Sequence, residues 1–272
     1  MMRSLWTAAS GMIAQQTNVD TISNNLANVN TTGYKAQSAE FKSLLYQNLQ
    51  TKTTTANGEN KPIPAEVGLG VRNSSITTKF SQGAFLESDS DTAFAISGDG
   101  FFAVRGTDGE TYYTRNGNFT YAIGTNGMML TTTDGLPVLD SNGQEIVFDM
   151  SGYDMSKVRT TTDGKFGYLD DDNNYQDLGI QIGVFQFNNP SGLEKMAGSL
   201  LAETAASGQA INEAVSDTVR KSGIKSGYLE GSNVQVADEM VNLIVAQRAY
   251  EMNSKAIQAS DEMLSQANQL RR

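Results

Sequence analysis

An acidic run at residues 170–174, Asp-Asp-Asp-Asn-Asn, is the most obvious place in this sequence for metal chemistry. Carboxylate and amide oxygens are the ligands that calcium prefers, and the run matches the opening of an EF-hand loop. That loop requires Gly at its sixth position and Glu at its twelfth, but counting from Asp170 these positions hold Tyr175 and Gln181. We therefore interpret the run as a solvated acidic turn and expect no metal site.

Two glycine-rich pieces, residues 67–70 and 97–100, have the composition of phosphate-binding loops. Neither carries the Lys-Ser/Thr pair of a P-loop, and neither opens a helical pattern, so both are interpreted as β-turns. Paired carboxylates for glycoside hydrolysis stay open, because their geometry is not visible in a sequence. Tyr113, Tyr121 and Tyr168 likewise leave a carbohydrate-binding β domain as an alternative.

The composition argues against most enzyme chemistry. The chain has 272 residues and contains neither Cys nor His. Thiolate nucleophiles, cysteine metal sites and Ser-His-Asp triads are therefore excluded, as is the side chain most often used as a general base. The net charge of -10 comes without a basic block, which makes nucleic acid a poor partner. We expect a structural protein that is not an enzyme and needs no cofactor.

Helical periodicity at the N-terminus is the clearest positional signal. The heptad positions are Leu5, Met12, Val19 and Leu26, accompanied three residues further on by Ala8, Gln15, Ile22 and Val29. This pattern predicts a helix from about Ser4 to Val29 with a narrow apolar seam. The sequence Asn30-Thr31-Thr32-Gly33 is a typical helix stop, with Gly beyond the cap.

The C-terminus shows the same kind of seam. Leu243, Tyr250, Ile257 and Leu264 are spaced by heptads in a segment, 232–272, that contains no Gly or Pro. Ser232 or Asn233 is the expected helix cap. Globular helices usually show a wider apolar stripe, so we expect the two terminal helices to pair as a coiled coil, with each other and with neighbouring copies. The alternative is that each helix packs on its own β domain.

Asx-Gly dipeptides punctuate the middle of the chain. Six of them lie between residues 99 and 143, and a seventh is Asp163-Gly164. Such dipeptides suit type I′ hairpin turns, and the short runs between them are β-prone. The middle is therefore predicted to be an antiparallel β domain. Residues 51–66 are polar and aperiodic, which indicates an extended loop or linker.

The expected fold class is α+β, with long N- and C-terminal helices that pair as a coiled coil and a central, mainly antiparallel β domain between them in the sequence. The helices would occupy 1–33 and 232–272, and the β domain 76–219. A connecting segment would comprise 34–75 and 220–231, including an extended polar stretch at 47–66.

No apolar run approaches the roughly 20 residues that a bilayer requires, so we expect a protein that is not membrane-embedded. Gln15, Gln16, Asn18 and Asp20 interrupt the N-terminal apolar stretch too early for a secretory signal. A cleaved signal peptide is therefore not expected.

Several motifs resemble the bacterial flagellar axial proteins of the rod and hook. The stretch 23–35, Ser-Asn-Asn-Leu-Ala-Asn-Val-Asn-Thr-Thr-Gly-Tyr-Lys, is similar to their N-terminal signature, and 227–234 with 249–255 to their C-terminal end. Internal pieces at 98–102 and 113–119 also resemble the family. Within it, the opening Ser4-Leu5-Trp6, the run 40–46 and the chain length are most similar to distal rod subunits.

The resemblance implies a structural subunit of the flagellar distal rod that polymerises helically into a rigid tubular drive shaft. It also implies type III export and partners among neighbouring rod and hook proteins and surrounding rings. The alternative within the family is a hook-type subunit forming a flexible joint. The expected assembly core comprises Leu5, Met12, Val19, Ile22, Asn24, Asn25, Leu26, Asn28, Leu243, Tyr250, Ile257 and Leu264.

Overall fold

The computed structural model describes residues 2–50, 65–124, 127–148, 158–169, 174–216 and 219–269. The acidic residues Asp170, Asp171 and Asp172 lie outside this part of the chain. The predicted α+β class is confirmed, with a helix near each end and antiparallel strands between. The chain divides into two compact units: Met1–Ala27, Gln37–Thr78 and Gln235–Arg272 form the first, and Asn28–Ala36 with Lys79–Val234 the second.

The first unit contains both helices, α1 (Met2–Ala27) and α2 (Val236–Gln269). Asp238 and Glu239 stand in the first turn of α2, where carboxylates favour the positive end of the helix dipole. Asn233 is not the cap of this helix, because its side-chain oxygen instead accepts the backbone N–H of Ala36 at 2.7 Å.

A two-stranded antiparallel ribbon completes the first unit. Strand β1 (Gln37–Ser43) pairs with β4 (Val71–Thr78), and β2 (Tyr46–Gln50) pairs with β3 (Ala65–Gly68). The predicted polar stretch at 47–66 is therefore strand at both of its ends, and residues 65 and 66 of the predicted loop at 51–66 are strand too. Residues 51–64 lie outside the described residues. The exposed side chains of Tyr46, Gln47 and Asn48 explain why the sequence shows no buried alternation there.

The second unit consists of short antiparallel strands arranged in several sheets. The largest has the order β16 (Glu194–Lys195), β17 (Leu200–Ala202), β8 (Thr111–Thr114), β7 (Phe101–Arg105), β15 (Val184–Gln186), β18 (Ile211–Asn212). Two three-stranded sheets are ordered β11 (Val147–Phe148), β10 (Gly127–Thr132), β9 (Phe119–Gly124) and β12 (Val158–Thr160), β13 (Lys165–Leu169), β14 (Tyr175–Gln181). Two-stranded pairs join β5 (Phe85–Glu87) to β20 (Tyr228–Glu230) and β6 (Phe94–Ser97) to β19 (Gly223–Ser226).

Aromatic side chains fill the core of the second unit. Phe94, Phe102, Phe119 and Phe166 are each at most 1% exposed. Phe102 meets Phe119 edge-to-face at 5.2 Å, and Phe94 meets Phe166 at 5.9 Å. Edge-to-face pairs stabilise a core by about 1 kcal/mol beyond the apolar area that they bury.

Four hairpins of this unit share one turn type. The sequences at 106–110, 132–136, 140–144 and 161–165 each place Asx-Gly at the third and fourth positions. In each turn the glycine at the fourth position has a positive φ, and its N–H donates to the carbonyl of the first residue. The N–H of the first residue in turn donates to the carbonyl of the fifth. The preceding Asx keeps a negative φ, so these are type I turns with a bulged glycine. The predicted type I′ geometry is wrong at these turns.

Candidate functional site

The last turn of α1 contains a buried asparagine, Asn25. Asn25 is 1% exposed, donates from its side chain to the carbonyl of Gln37 at 2.8 Å and accepts the N–H of Gln37 at 2.9 Å. One amide side chain thus mimics a strand partner and fixes the start of β1 against α1. Of the other predicted asparagines, Asn24 is exposed, while Asn28 accepts the hydroxyl of Thr31 at 3.1 Å within the second unit.

Gly33 lies against the β domain in a conformation that requires glycine. Its φ is +71°, and a Cβ there would stand 2.6 Å from the backbone nitrogen of Asn116. Its N–H donates to the carbonyl of Glu230 at 2.8 Å, and the neighbouring Thr32 hydroxyl donates to the Asn116 side chain at 2.9 Å. Residues 28–36, which we call the exit segment, are therefore bonded to the rest of the second unit through both Thr32 and Gly33.

A buried ionic cluster lies directly behind this segment. Lys35 Nζ is 2.6 Å from Glu230 Oε1, and the two side chains are 4% and 0% exposed. Glu230 also accepts from the Gln82 amide at 2.8 Å and from the Gly83 N–H at 2.9 Å. Lys35 donates in addition to the carbonyl of Ser81 at 2.7 Å. Both charges are thus compensated by several hydrogen bonds, as burial of ions requires.

Arg115 supplies a second cation to the same cluster. Its Nε lies 3.4 Å from Glu230 Oε2, and its terminal nitrogens donate to the carbonyls of Gly98 and Gly100 at 2.7 Å each. The guanidinium also stacks over Phe101, 5.5 Å from the ring centroid. Burial lowers the pKa of Arg115 and, together with the repulsion from Arg115, that of Lys35. The negative charge of Glu230 opposes this effect in both cases.

Asn233 joins the same region from the C-terminal side. Its side-chain amide donates to the carbonyl of Lys79 at 2.8 Å and to the Ser81 hydroxyl at 2.9 Å. Together with its bond to Ala36, this places residues 28–36 and 230–234 on one connected network. The two segments that lead toward the helices therefore share their anchors.

The helices of the first unit run antiparallel and contact each other through small side chains. The hydroxyls of Ser4 and Ser260 are 3.3 Å apart, and a Cβ on Gly11 would lie 2.9 Å from the Asn253 amide nitrogen. Ala246 is 1% exposed and Ser260 4%. Small residues permit close approach of two helix backbones, so the contact is narrower than a leucine seam.

The predicted seam residues are distributed around this contact. Ile22 is buried, whereas Leu5, Met12, Val19, Leu26, Leu243, Ile257 and Leu264 are half-buried and Tyr250 is exposed. Val19 and Tyr250 line the same cavity of about 420 Å³, together with Gln16, Gln247 and Glu251. The sequence pattern did not single out Gly11, Asn253 or Ser260, because small and polar residues carry no hydrophobic periodicity.

Large apolar side chains remain exposed on both helices. On α2 the exposed fractions are 60% for Val241, 61% for Val245 and 67% for Met252, and on α1 they are 73% for Trp6 and 65% for Ile13. Such a concentration of exposed apolar surface marks an interaction face. Within the described residues, neither helix combines the length and hydropathy needed to cross a membrane.

The ribbon is attached to α1 by polar contacts. Asn73 donates to the Thr17 hydroxyl at 2.6 Å, and the N–H of Val71 donates to the Ser10 hydroxyl at 3.3 Å. A Cβ on Gly70 would collide with the Ser10 hydroxyl. The base of the ribbon is therefore fitted to the helix surface.

Three family models match this chain. One described as "Flagella basal body rod protein" matches residues 5–35, which cover α1 and its exit segment. "Flagellar hook protein FlgE/F/G D1 domain" matches 95–168, and "Flagellar basal body rod FlgEFG protein C-terminal" matches 225–270. The terminal helices and the β domain thus define an axial protein of the bacterial flagellum.

Full-length relatives narrow the class. The flagellar basal-body rod protein FlgG of Borreliella burgdorferi is 44% identical over 274 residues, covering 100% of both chains. The FlgG proteins of Agrobacterium fabrum and Bacillus subtilis are 39% and 38% identical, covering 97% and 100% of both chains. The chain belongs to the flagellar basal-body rod protein family, and it is a structural component of the flagellum rather than an enzyme.

Proposed function

We propose that the chain is a distal rod subunit that polymerises helically into a rigid tube and transmits torque from motor to hook. Its partners are further copies of itself, neighbouring rod and hook proteins, and the rings around the rod. The relatives named above are basal-body rod proteins, and their alignments span this chain from end to end. Rod identity rather than hook identity is favoured on that ground.

The exposed apolar face of α2 is the observation that carries the proposal. Val241, Ile244 and Val245 are each 55% to 61% exposed, although they lie at the start of a long and regular helix. A lone chain that leaves such side chains in water gains stability when a second copy covers them. If this face meets a different patch of the next copy, the contact is head-to-tail and builds an open helical polymer.

We further propose that α1 and α2 form a coiled coil within this polymer. The antiparallel contacts at Ser4–Ser260 and Gly11–Asn253 lie seven residues apart on each helix, which is the heptad repeat. The larger seam residues, Leu243, Ile257 and Leu264, are half-buried beside this contact and would complete their burial against neighbouring helices.

Charge insertion into the seam tests the polymer. Leu26→Asp and Ile257→Asp should abolish filament formation by concentrated purified protein in electron micrographs, because each buries an unpaired carboxylate. Gln258→Asp is the matched control, since Gln258 is exposed on the same helix and its substitution adds the same charge. Normal tubes from both seam variants would refute the assembly core proposed here.

The hook-type alternative is tested with the ribbon. Deletion of residues 47–66 removes most of β2, part of β3 and the segment between them. A rod subunit should lose stiffness, which is measured as a shorter persistence length of the filaments. Filaments of unchanged stiffness would favour the flexible hook-type joint.

A further inference from the structure

A polar cavity of about 670 Å³ lies on the second unit, apart from the exit-segment network. Its lining includes Glu110, Thr111, Tyr113, Glu203, Thr204 and Gln209. Glu110 ends the 106–110 turn, and Glu203 follows β17, so two neighbouring strands of the largest sheet deliver a carboxylate each. Glu110 and Glu203 are both exposed to solvent at this site.

Tyr113 is a largely buried residue whose hydroxyl has no protein partner at this cavity. The residue is 5% exposed, and its ring packs edge-to-face on Phe187 at 4.8 Å and Phe185 at 5.7 Å. Within the described residues its hydroxyl forms no hydrogen bond to the protein, and it reaches the cavity instead of being enclosed among protein atoms. The packed ring faces hydrophobic neighbours, so the cavity is where the hydroxyl can find a partner.

The cavity presents acceptors for a cation. Burial raises the pKa of Tyr113 to about 12, and the Glu203 carboxylate adds to the rise, so the phenol is neutral and Glu203 lies near it. A phenol oxygen and a carboxylate can both accept hydrogen bonds from an ammonium or guanidinium group. No lysine or arginine lines the cavity among the described residues, which leaves its carboxylates uncompensated from within.

We propose that this cavity receives one cationic side chain from a second copy of this chain, with Tyr113 and Glu203 as its acceptors. The proposal rests on the proposed function, because it requires copies to assemble. A chain with a net charge of -10 repels its copies unless acidic and basic surfaces are matched at the contacts. The cavity supplies the acidic half of such a match.

Arg220 and Lys221 of the second copy are the proposed donors. They are adjacent, exposed and without an ion-pair partner among the described residues. Neither lines the acidic cavity of its own chain, so the contact joins two different patches. A contact between different patches is head-to-tail, which is the kind that propagates along a helical polymer.

Small cations probe the site without assembly. We expect n-butylammonium or n-butylguanidinium to shift the NMR signals of ring-labelled Tyr113 in the unpolymerised chain, whereas n-butanol and N-acetylglucosamine should not. Tyr113→Phe and Glu203→Gln should each weaken this binding by about tenfold, because the first removes the acceptor hydroxyl and the second removes the negative charge. Binding of the neutral sugar alone, or cation binding that both variants leave unchanged, would overturn the proposal.

Charge reversal tests the donor in the polymer. Glu203→Lys, and Arg220→Glu combined with Lys221→Glu, should each raise the critical concentration for filament formation by about tenfold or more. Combining all three substitutions should restore it toward the wild-type value, and Glu145→Lys, at an exposed site outside the cavity, is the matched control. Normal assembly of Glu203→Lys, or no restoration, would refute the contact. A wild-type chain that forms no filaments would instead count against the proposed function itself.

Discussion

Lys35 and Glu230 are separated by 195 positions in the sequence, yet their side chains form a fully buried ion pair at 2.6 Å. Lys35 lies in the segment that follows α1, and Glu230 ends the last strand before α2. The pair therefore ties the entry of the β domain to its exit. Arg115 and Asn233 extend the same network to both segments.

Removing one partner of this pair should be strongly destabilising. Glu230→Gln should lower the free energy of unfolding by about 3 to 5 kcal/mol, because it leaves the buried Lys35 and Arg115 without their carboxylate. Lys35→Met should cost less, because Arg115 still faces Glu230. The double variant should cost less than the sum of the two. Urea titrations of the purified chains measure all three values.

Lys165→Met is the matched control for this cycle. Lys165 pairs with Asp177 at 4.0 Å, but the two side chains are 51% and 47% exposed. Such a surface pair contributes at most about 1 kcal/mol. Equal losses for Lys35→Met and Lys165→Met would show that burial of the cluster does not matter.

Gly33→Ala should disturb the exit segment more than a typical turn substitution. Its positive φ and the nearby Asn116 backbone both oppose a Cβ, so the expected loss is about 3 kcal/mol or more. Gly109 has a similar φ of +85° with nothing within 4 Å of a Cβ, so Gly109→Ala should cost only about 1 kcal/mol. Thermal unfolding compares the two, and a reversed order would contradict the close packing at Gly33.

Asn25→Ala should loosen the start of β1. The substitution leaves the N–H and carbonyl of Gln37 without the side-chain partner that now satisfies both, at an expected cost of about 2 kcal/mol. Hydrogen exchange of the Gln37 amide should accelerate. Asn24→Ala, at an exposed position, should leave the Gln37 amide protected. Equal acceleration of exchange in both variants would contradict a specific role for the Asn25 side chain.

Alkaline pH should destabilise the β domain through Tyr113. Its pKa is about 12 in the folded chain against 10.0 for an ordinary tyrosine, so the unfolded chain releases this proton first. The stabilising contribution is present below pH 10 and is lost as the pH rises toward 12, by up to about 2 kcal/mol. Tyr113→Phe should flatten this part of the stability profile. Tyr228→Phe, at a residue that is 37% exposed, should leave it unchanged.

The turns show what a sequence can and cannot specify. The Asx-Gly pairs correctly placed the hairpins at Asp108, Asp134, Asn142 and Asp163, because glycine there takes a positive φ. Gly117 stands in the same Asx-Gly pattern but has no positive φ. Glycine is needed there for a different reason, because the Phe94 carbonyl lies too close to leave room for a Cβ. Local chemistry is thus predictable, whereas a close approach of distant backbone is not.

The site divides in the same way. Heptad spacing predicted both helices, and the asparagine-rich signature pointed to Asn25, whose buried role depends on a partner 12 residues away. The charge cluster was missed, although Lys35 and Glu230 both stand inside motifs that resemble the family. Isolated charged residues usually face solvent, and no local sequence pattern indicates that two residues far apart in the chain form an ion pair.

The Lys35–Glu230 ion pair also limits the order in which contacts can form when the chain becomes available from its N-terminal end first. Residues 28–36 cannot find their carboxylate until nearly the whole polypeptide has followed, so this junction closes among the last long-range contacts. Until then Lys35 keeps its water shell, and residues 28–36 are not yet bonded to the last strand of the β domain. A truncated chain ending before residue 230 would lack this carboxylate and would leave Lys35 without its ion-pair partner.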